Sequence, residues 1–154
     1  MIETPWTTET TAQLAAVIHL TVPRHEIQSV MGPAIMEILA TIKAQGLSPT
    51  GPLFTHHLKM TPSEFDVEVC APVSSPITPS GRVVPREFPS VKVIRTIYHG
   101  PYEGLGPAWG EFMAWFSANG HREAPDLYEA YLQGPESGPD ATQWRTELSG
   151  PIIG

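Results

Sequence analysis

Residues 127–132 read LYEAYL, a single carboxylate set among two tyrosines, two leucines and an alanine. On a strand, alternate side chains share a face. Leu127, Glu129 and Tyr131 therefore point one way, and Tyr128, Ala130 and Leu132 the other. If the second set faces the core, the first presents an acid between an apolar residue and an aromatic. An isolated carboxylate is costly in apolar surroundings. Glu129 then either faces water on an ordinary half-exposed strand or lies in a cavity that receives something cationic. Burial pushes a carboxylate's pKa up, and a cation beside it reverses that. Aromatic faces attract the same cation, which makes Tyr131 the natural companion of Glu129.

Composition restricts what such a site can serve. A chain of 154 residues is long enough to bury a substantial core. Nine Lys and Arg stand against sixteen Asp and Glu, for a formal net charge of −7. That balance argues against binding a phosphate backbone, which needs clustered cations, so direct nucleic-acid binding is not expected. Cys70 is the only cysteine, and it sits in an apolar run where a buried, inert thiol is expected. A disulfide framework and a thiolate metal cluster are both excluded. The opening MIETPWTTETT is acidic and polar, unlike a signal peptide, and no apolar run has the length of a membrane span. A cytoplasmic protein without membrane partners is the expectation. The sequence carries no glycine-rich phosphate loop, no G-x-S-x-G and no H-E-x-x-H, and no cofactor is expected.

The elements that must position Glu129 emerge from an internal repeat. GPAIMEILATIKAQGLSPTGPLFTHHL (32–58) aligns without gaps on GPAWGEFMAWFSANGHREAPDLYEAYL (106–132), an offset of 74. Ile35, Ile38, Leu39 and Ile42 fall on Trp109, Phe112, Met113 and Phe116, the i, i+3, i+4, i+7 stripe of an amphipathic helix. Pro33 and Pro107 suit the first helical position, and Gly46 and Gly120 suit the stop. An apolar, β-rich run precedes each helix (15–22 and 91–98), and two strand-like runs follow it. The last of these align as VEVCAPV (67–73) over TELSGPI (146–152).

Each half thus reads β-α-β-β, giving an α+β fold of tandem pseudo-twofold βαββ repeats. The expected result is an antiparallel sheet with two main helices and a groove between the halves. Repeat one spans about 15–73, a Pro- and Ser-rich linker 74–90, and repeat two about 91–153, with 1–14 as an N-terminal extension. The linker is expected to turn at Pro79-Ser80-Gly81 and to hold an extra strand at 82–88.

MTPSEFDVEVCAPV in the first half, with YHGPYEGLGPAW, LYEAYL and WRTELSGPI in the second, resembles the GyrI-like small-molecule-binding domain. That family is also called the bacterial transcription-activator effector-binding domain. The resemblance implies a groove for lipophilic, often aromatic and cationic, molecules. It implies a buried Glu in the penultimate strand, here Glu129, and an aromatic on the next strand, here Trp144. Many relatives carry a helix-turn-helix domain in front; the short stretch before the first strand here is too brief for one, so transcription-factor function is not carried over. Stand-alone relatives include a gyrase-modulating protein and hydrolases that open cyclopropane-bearing genotoxins.

The resemblance therefore leaves three functions open: a binder of lipophilic aromatic cations, a hydrolase using Glu129 and Tyr131, and a protein-interaction module. Further pocket candidates come from the asymmetry between the copies. Tyr98, Tyr102, Trp109, Trp115 and Trp144 enrich the second half, where the first has Val22, Ile35 and Thr41. Trp109 is mid-stripe and equally suits plain core; Trp115 falls off the stripe as a half-exposed residue or a groove wall. His57 aligns with Tyr131 and is expected to enter the groove from the other half, with His56 beneath the first helix. As strand neighbours the two histidines point to opposite faces and cannot chelate one metal ion together.

Overall fold

The computed structural model describes residues 2–60, 63–134 and 138–153. Among them are eight strands and two helices. In chain order these are β1 (Trp6–Glu9), β2 (Gln13–Pro23), α1 (Ile27–Ala44), β3 (Phe54–Met60), β4 (Glu64–Val73), β5 (Val84–Phe88), β6 (Lys92–His99), α2 (Leu105–Ala118), β7 (Leu127–Gln133) and β8 (Arg145–Pro151). The chain divides into two compact units, residues 11–90 and residues 1–10 with 91–154. The architecture is α+β, with antiparallel pairing in each unit.

The unit of residues 11–90 orders its strands β3-β4-β2-β5. Ile18 and Leu20 on β2, with Val67, Val69 and Ala71 on β4, form the core face, and α1 lays Ala34, Ile38 and Ile42 on it. The other unit orders its strands β7-β8-β6-β1. There Ile94, Tyr98 and Leu148 meet Ala108, Phe112 and Phe116 of α2. Strand for strand the two units share one plan, as the aligned stripes require. Both even carry an irregularity at the same repeat position, between His57 and Lys59 in β3 and between Tyr131 and Gln133 in β7.

The helix stops follow the sequence. Gly46 and Gly120 both have positive φ, 77° and 73°. Leu47 and His121 donate their backbone N–H groups to Ile42 and Phe116, closing the last turn of each helix in a Schellman motif. The helix starts do not follow it. α1 begins at Ile27, so Pro33 lies inside the helix rather than at its first position. The apolar stripe continues upstream through Ile27, Val30 and Met31, all packed on the core, and that burial outweighs the backbone bond a proline cannot donate. Pro107, the third residue of α2, lies in the first turn, where no intrahelical partner for its N–H is lost.

One boundary differs from the sequence reading, and the linker follows it. Part of the N-terminal extension is a strand: β1 pairs with β6, Trp6 opposite Arg95 and Glu9 opposite Lys92. Its polar WTTE carries no apolar alternation, which is why periodicity passes over it. The linker holds β5, paired with β2, and Ser80 and Val83 bridge around Gly81 at φ 57°. No helix among the described residues is long and apolar enough to cross a membrane.

One tight passage sets the mouth of β6 against α2. The Tyr98 hydroxyl donates to the carbonyl of Pro101 at 2.8 Å, and a Cβ on Gly104 would sit 2.0 Å from that hydroxyl oxygen. Gly104→Ala is therefore expected to destabilise the protein by about 1–3 kcal/mol through overpacking. Adding Tyr98→Phe should return part of the loss by removing the clashing oxygen; a double-mutant cycle by urea denaturation measures the coupling, and strict additivity would refute the clash.

Candidate functional site

Glu129 lies on the helix-facing side of its sheet. In register, Glu129 stands opposite Leu148, which stands opposite Thr96; Tyr131 stands opposite Thr146, which stands opposite Tyr98. Leu148 and Tyr98 belong to the core under α2, so Leu127, Glu129 and Tyr131 share that face. The set treated in the sequence as the core side, Tyr128, Ala130 and Leu132, is the half-buried one. The carboxylate is buried, with Glu129 only 8% exposed.

An indole and a phenol donate to it. The Trp109 indole N–H donates to Oε2 at 2.6 Å, and the Tyr131 hydroxyl donates to Oε1 at 3.0 Å. α2 supplies the first because Trp109 sits one turn before Phe112, whose ring it packs against at 5.6 Å. The strand supplies the second because residues i and i+2 share a face. Each bond to an ionised carboxylate contributes roughly 1.5–3 kcal/mol. Trp109 thus belongs to the site rather than to plain core. The repeat holds a signal for this: where repeat two has Trp109 and Glu129, repeat one has Ile35 and Thr55, so donor and acceptor arrive as a pair.

Two further aromatics border this pair. Tyr102, in the short 3-10 turn Tyr102–Gly104, meets Tyr131 edge-on at 5.9 Å and lies tilted over Trp144 at 5.2 Å. Trp144 stands one residue before β8 rather than within it. The turn at Ala141–Gln143 aims it, and its indole N–H is spent on the carbonyl of Gly138 at 3.1 Å. The Asp140 side chain caps that turn by accepting from the Thr142 hydroxyl and backbone N–H, and these bonds hold its carboxyl below the usual range. Glu129, Tyr131, Trp109, Tyr102 and Trp144 thus form one connected group. Tyr98 is on the same face, but its hydroxyl is turned to Pro101; burial, with the Glu103 carboxylate near it, pushes the phenol's pKa up. Trp115 stands apart, stacked on His121 at 5.8 Å.

The histidines differ from expectation. His56 pairs opposite Glu68 in β4, on the face away from α1, and not beneath the helix. There its Nδ1 is 2.7 Å from Glu68 Oε1, Arg86 donates to Glu68 Oε2 at 2.7 Å, and the imidazole meets the Phe88 ring. His57 pairs opposite Val67 and so takes the helix side, beside Phe65 at 5.6 Å and 3.2 Å from the Thr55 hydroxyl. The Thr55–His57 contact occupies the places of Glu129 and Tyr131 in the other repeat. Alternation identifies opposite faces from sequence, but where both faces carry apolar residues it does not say which lies under the helix. Cys70 is fully buried, and burial pushes its thiol up. Among the described residues no three His, Cys, Asp or Glu side chains gather as a metal site.

Removing the strongest donor tests the wiring of the site. Trp109→Phe keeps the ring packing and deletes the N–H to a buried carboxylate, so a loss of about 1.5–3 kcal/mol is expected in chemical denaturation. Adding Glu129→Gln should make the Trp109 substitution cost less; an unchanged cost would show that the bond contributes nothing.

The model for the GyrI-like small molecule binding domain matches residues 7–153. No curated protein matches the chain. Among solved structures, the C-terminal domain of EcmrR is 23% identical with a TM-score of 0.86, covering 97% of this chain and 96% of that one. EcmrR in its complex with DNA is 24% identical with the same TM-score of 0.86, over 98% of this chain but 57% of that one. The chain thus spans little more than half of that longer protein. SAV2435 bound to tetraphenylphosphonium is 10% identical (TM-score 0.72, 99% of this chain and 95% of that one). A hydrolase from Listeria innocua is 11% identical (TM-score 0.67, 97% and 91%). At these identities the likenesses show the fold.

Proposed function

From the premise that the chain belongs to the GyrI-like small molecule binding domain family, we propose that it binds lipophilic aromatic cations, with Glu129 facing the positive charge. The observation that carries this reading is a buried carboxylate held by two aromatic donors, Trp109 and Tyr131, beside the rings of Tyr102 and Trp144. The donors fix the orientation of the carboxylate, and a cation adds the opposite charge in surroundings where water screens little. Ring faces add roughly 0.5–2 kcal/mol each to a cation they meet. SAV2435, a neighbour in fold, is bound to tetraphenylphosphonium, a lipophilic cation with four aromatic rings. His57 belongs to the other unit, and its part in ligand binding is carried only by its alignment with Tyr131 in the internal repeat.

A planar fluorescent cation, rhodamine 6G, is expected to bind with micromolar affinity. Glu129→Gln should weaken it by about 1–3 kcal/mol, the cost of leaving a buried charge without its partner. An uncharged dye of similar shape should lose much less. Equal losses for both, read by fluorescence anisotropy, would remove Glu129 from the role assigned to it.

A second reading, hydrolysis, is favoured by one contact, the 3.0 Å bond between Tyr131 and Glu129. A carboxylate paired with a phenol can take a proton from water while the phenol steadies the leaving atom. Under this reading a cyclopropane-bearing alkylator is converted to the ring-opened, water-added product over many turnovers. Both Glu129→Gln and Tyr131→Phe then abolish turnover. An alkylator recovered intact by mass spectrometry leaves binding alone.

A further inference from the structure

Thr146 is fully buried, and its hydroxyl has no hydrogen-bond partner among the described residues. It stands in β8 directly between Tyr131 on β7 and Tyr98 on β6. Directly paired residues point to the same face, so the Thr146 side chain shares the face of Glu129. Trp144, two residues before it, and Tyr131 both touch the ring of Tyr102. Glu129 is one diagonal step away, because its partner Leu148 is two residues beyond Thr146. Such diagonal neighbours on a sheet are roughly 7–8 Å apart.

A hydroxyl in this state is a cost without a return in the free protein. Leaving it unpaired is unfavourable, whereas a methyl of the same shape carries no such penalty. The internal repeat shows that the fold accepts the methyl. The aligned residue of repeat one is Val67, also fully buried, and likewise flanked by its strand neighbours His57 and Leu20. β-Branching alone therefore does not call for threonine here. The neighbouring hydroxyls are both committed, Tyr98 to Pro101 and Tyr131 to Glu129. Thr146 holds the acceptor on this face that no described group uses.

We propose that Thr146 is a specificity-determining residue of the site, its hydroxyl oxygen accepting a hydrogen bond from an N–H of the bound cation. The inference rests on the binding reading above and deepens it: the preferred ligands are aromatic cations bearing an N–H near the charge, rather than fully alkylated ones. The Tyr102 ring, resting on Tyr131 and Trp144, is the group that gives way for the ligand to reach it.

The experiment compares two dyes that differ in this respect. Rhodamine 6G carries an N–H on each of the two amino groups attached to its xanthene ring, and the ethyl ester of rhodamine B has a xanthene core with those amino nitrogens fully alkylated. In Thr146→Val, rhodamine 6G should bind about 3–10-fold more weakly, as expected for the net loss of one hydrogen bond from a donor of delocalised charge. The alkylated dye should be affected less than about twofold by the same substitution. Thr146→Ser should keep most of the preference for rhodamine 6G. The melting temperature of ligand-free Thr146→Val should equal or exceed that of the wild type, since an unpaired hydroxyl is replaced by a methyl. A fall in melting temperature would show that the hydroxyl is already bonded within the fold, and would overturn the proposal. So would equal effects on the two dyes, or none on either. If wild-type protein binds neither dye, the binding reading itself fails; if it binds both without regard to residue 146, only the present inference fails.

Discussion

The carboxylate of Glu129 is buried, and a buried carboxylate persists only where donors meet it. Here the donors come from two directions, the indole of Trp109 on the helix and the phenol of Tyr131 on the same strand. Much of the unit follows from keeping those three groups in place. α2 must lie at the height that brings Trp109 over β7, and its register is fixed by Phe112 and Phe116 packing on Ile94 and Leu148. Phe116 reaches far enough that a Cβ on Gly150 would lie 2.7 Å from its ring, so β8 has a glycine at that point. The helix entry is fixed in the same way by Tyr98, beneath Gly100 and Gly104. Close contacts of this kind are what hold a polar site at one geometry.

The tandem plan was legible because it is written in features that resist tertiary override. Apolar stripes at 3.6-residue spacing, and the glycine stops that close α1 and α2 at positive φ, leave few alternatives. Glu129 was legible too, since a lone acid among aromatics on a strand has few inexpensive explanations. Other features depended on information outside any local window. β1 is a tryptophan and three polar residues whose pairing with β6 joins positions more than eighty residues apart, and no pattern in WTTE announces it. Pro33 mimicked a helix start because the turn upstream carries an equally good apolar stripe. His56 was expected beneath the helix and lies on the other face, because β3 offers apolar neighbours on both sides. Trp109 looked like core by position, and only the distance to Glu129 separates the two roles.

The buried acids of the two units lie on different sides of their own sheets, one away from its helix and one beneath it, and the aromatic side chains of the second repeat accompany the acid beneath the helix. In residues 11–90 the buried acid is Glu68, on the face away from α1, with His56 and Arg86 both bonded to it. Arg86 comes from β5, the strand contributed by the linker, so that acid is paired by a cation of its own unit and serves to hold an edge. The helix side there carries no buried acid among the described residues: Ile35, Val67 and Leu20 stand where the second repeat has Trp109, Thr146 and Tyr98, and Thr55 and His57 stand where it has Glu129 and Tyr131.

In the second repeat the equivalent of Glu68 is Glu147, half-buried and 3.4 Å from Arg95, while the buried acid, Glu129, lies under the helix. An acid placed there cannot be met by a short cationic side chain without burying a second charge, which costs several kcal/mol per ion before any attraction is recovered. Aromatic N–H and O–H donors avoid that cost. They donate to the carboxylate oxygens, and they bring ring faces with them. One fold has thus used the same strand positions for two kinds of burial. The first repeat is closed by an ion pair on its outer face, and the second places a carboxyl group, oriented by aromatic donors, beneath its helix.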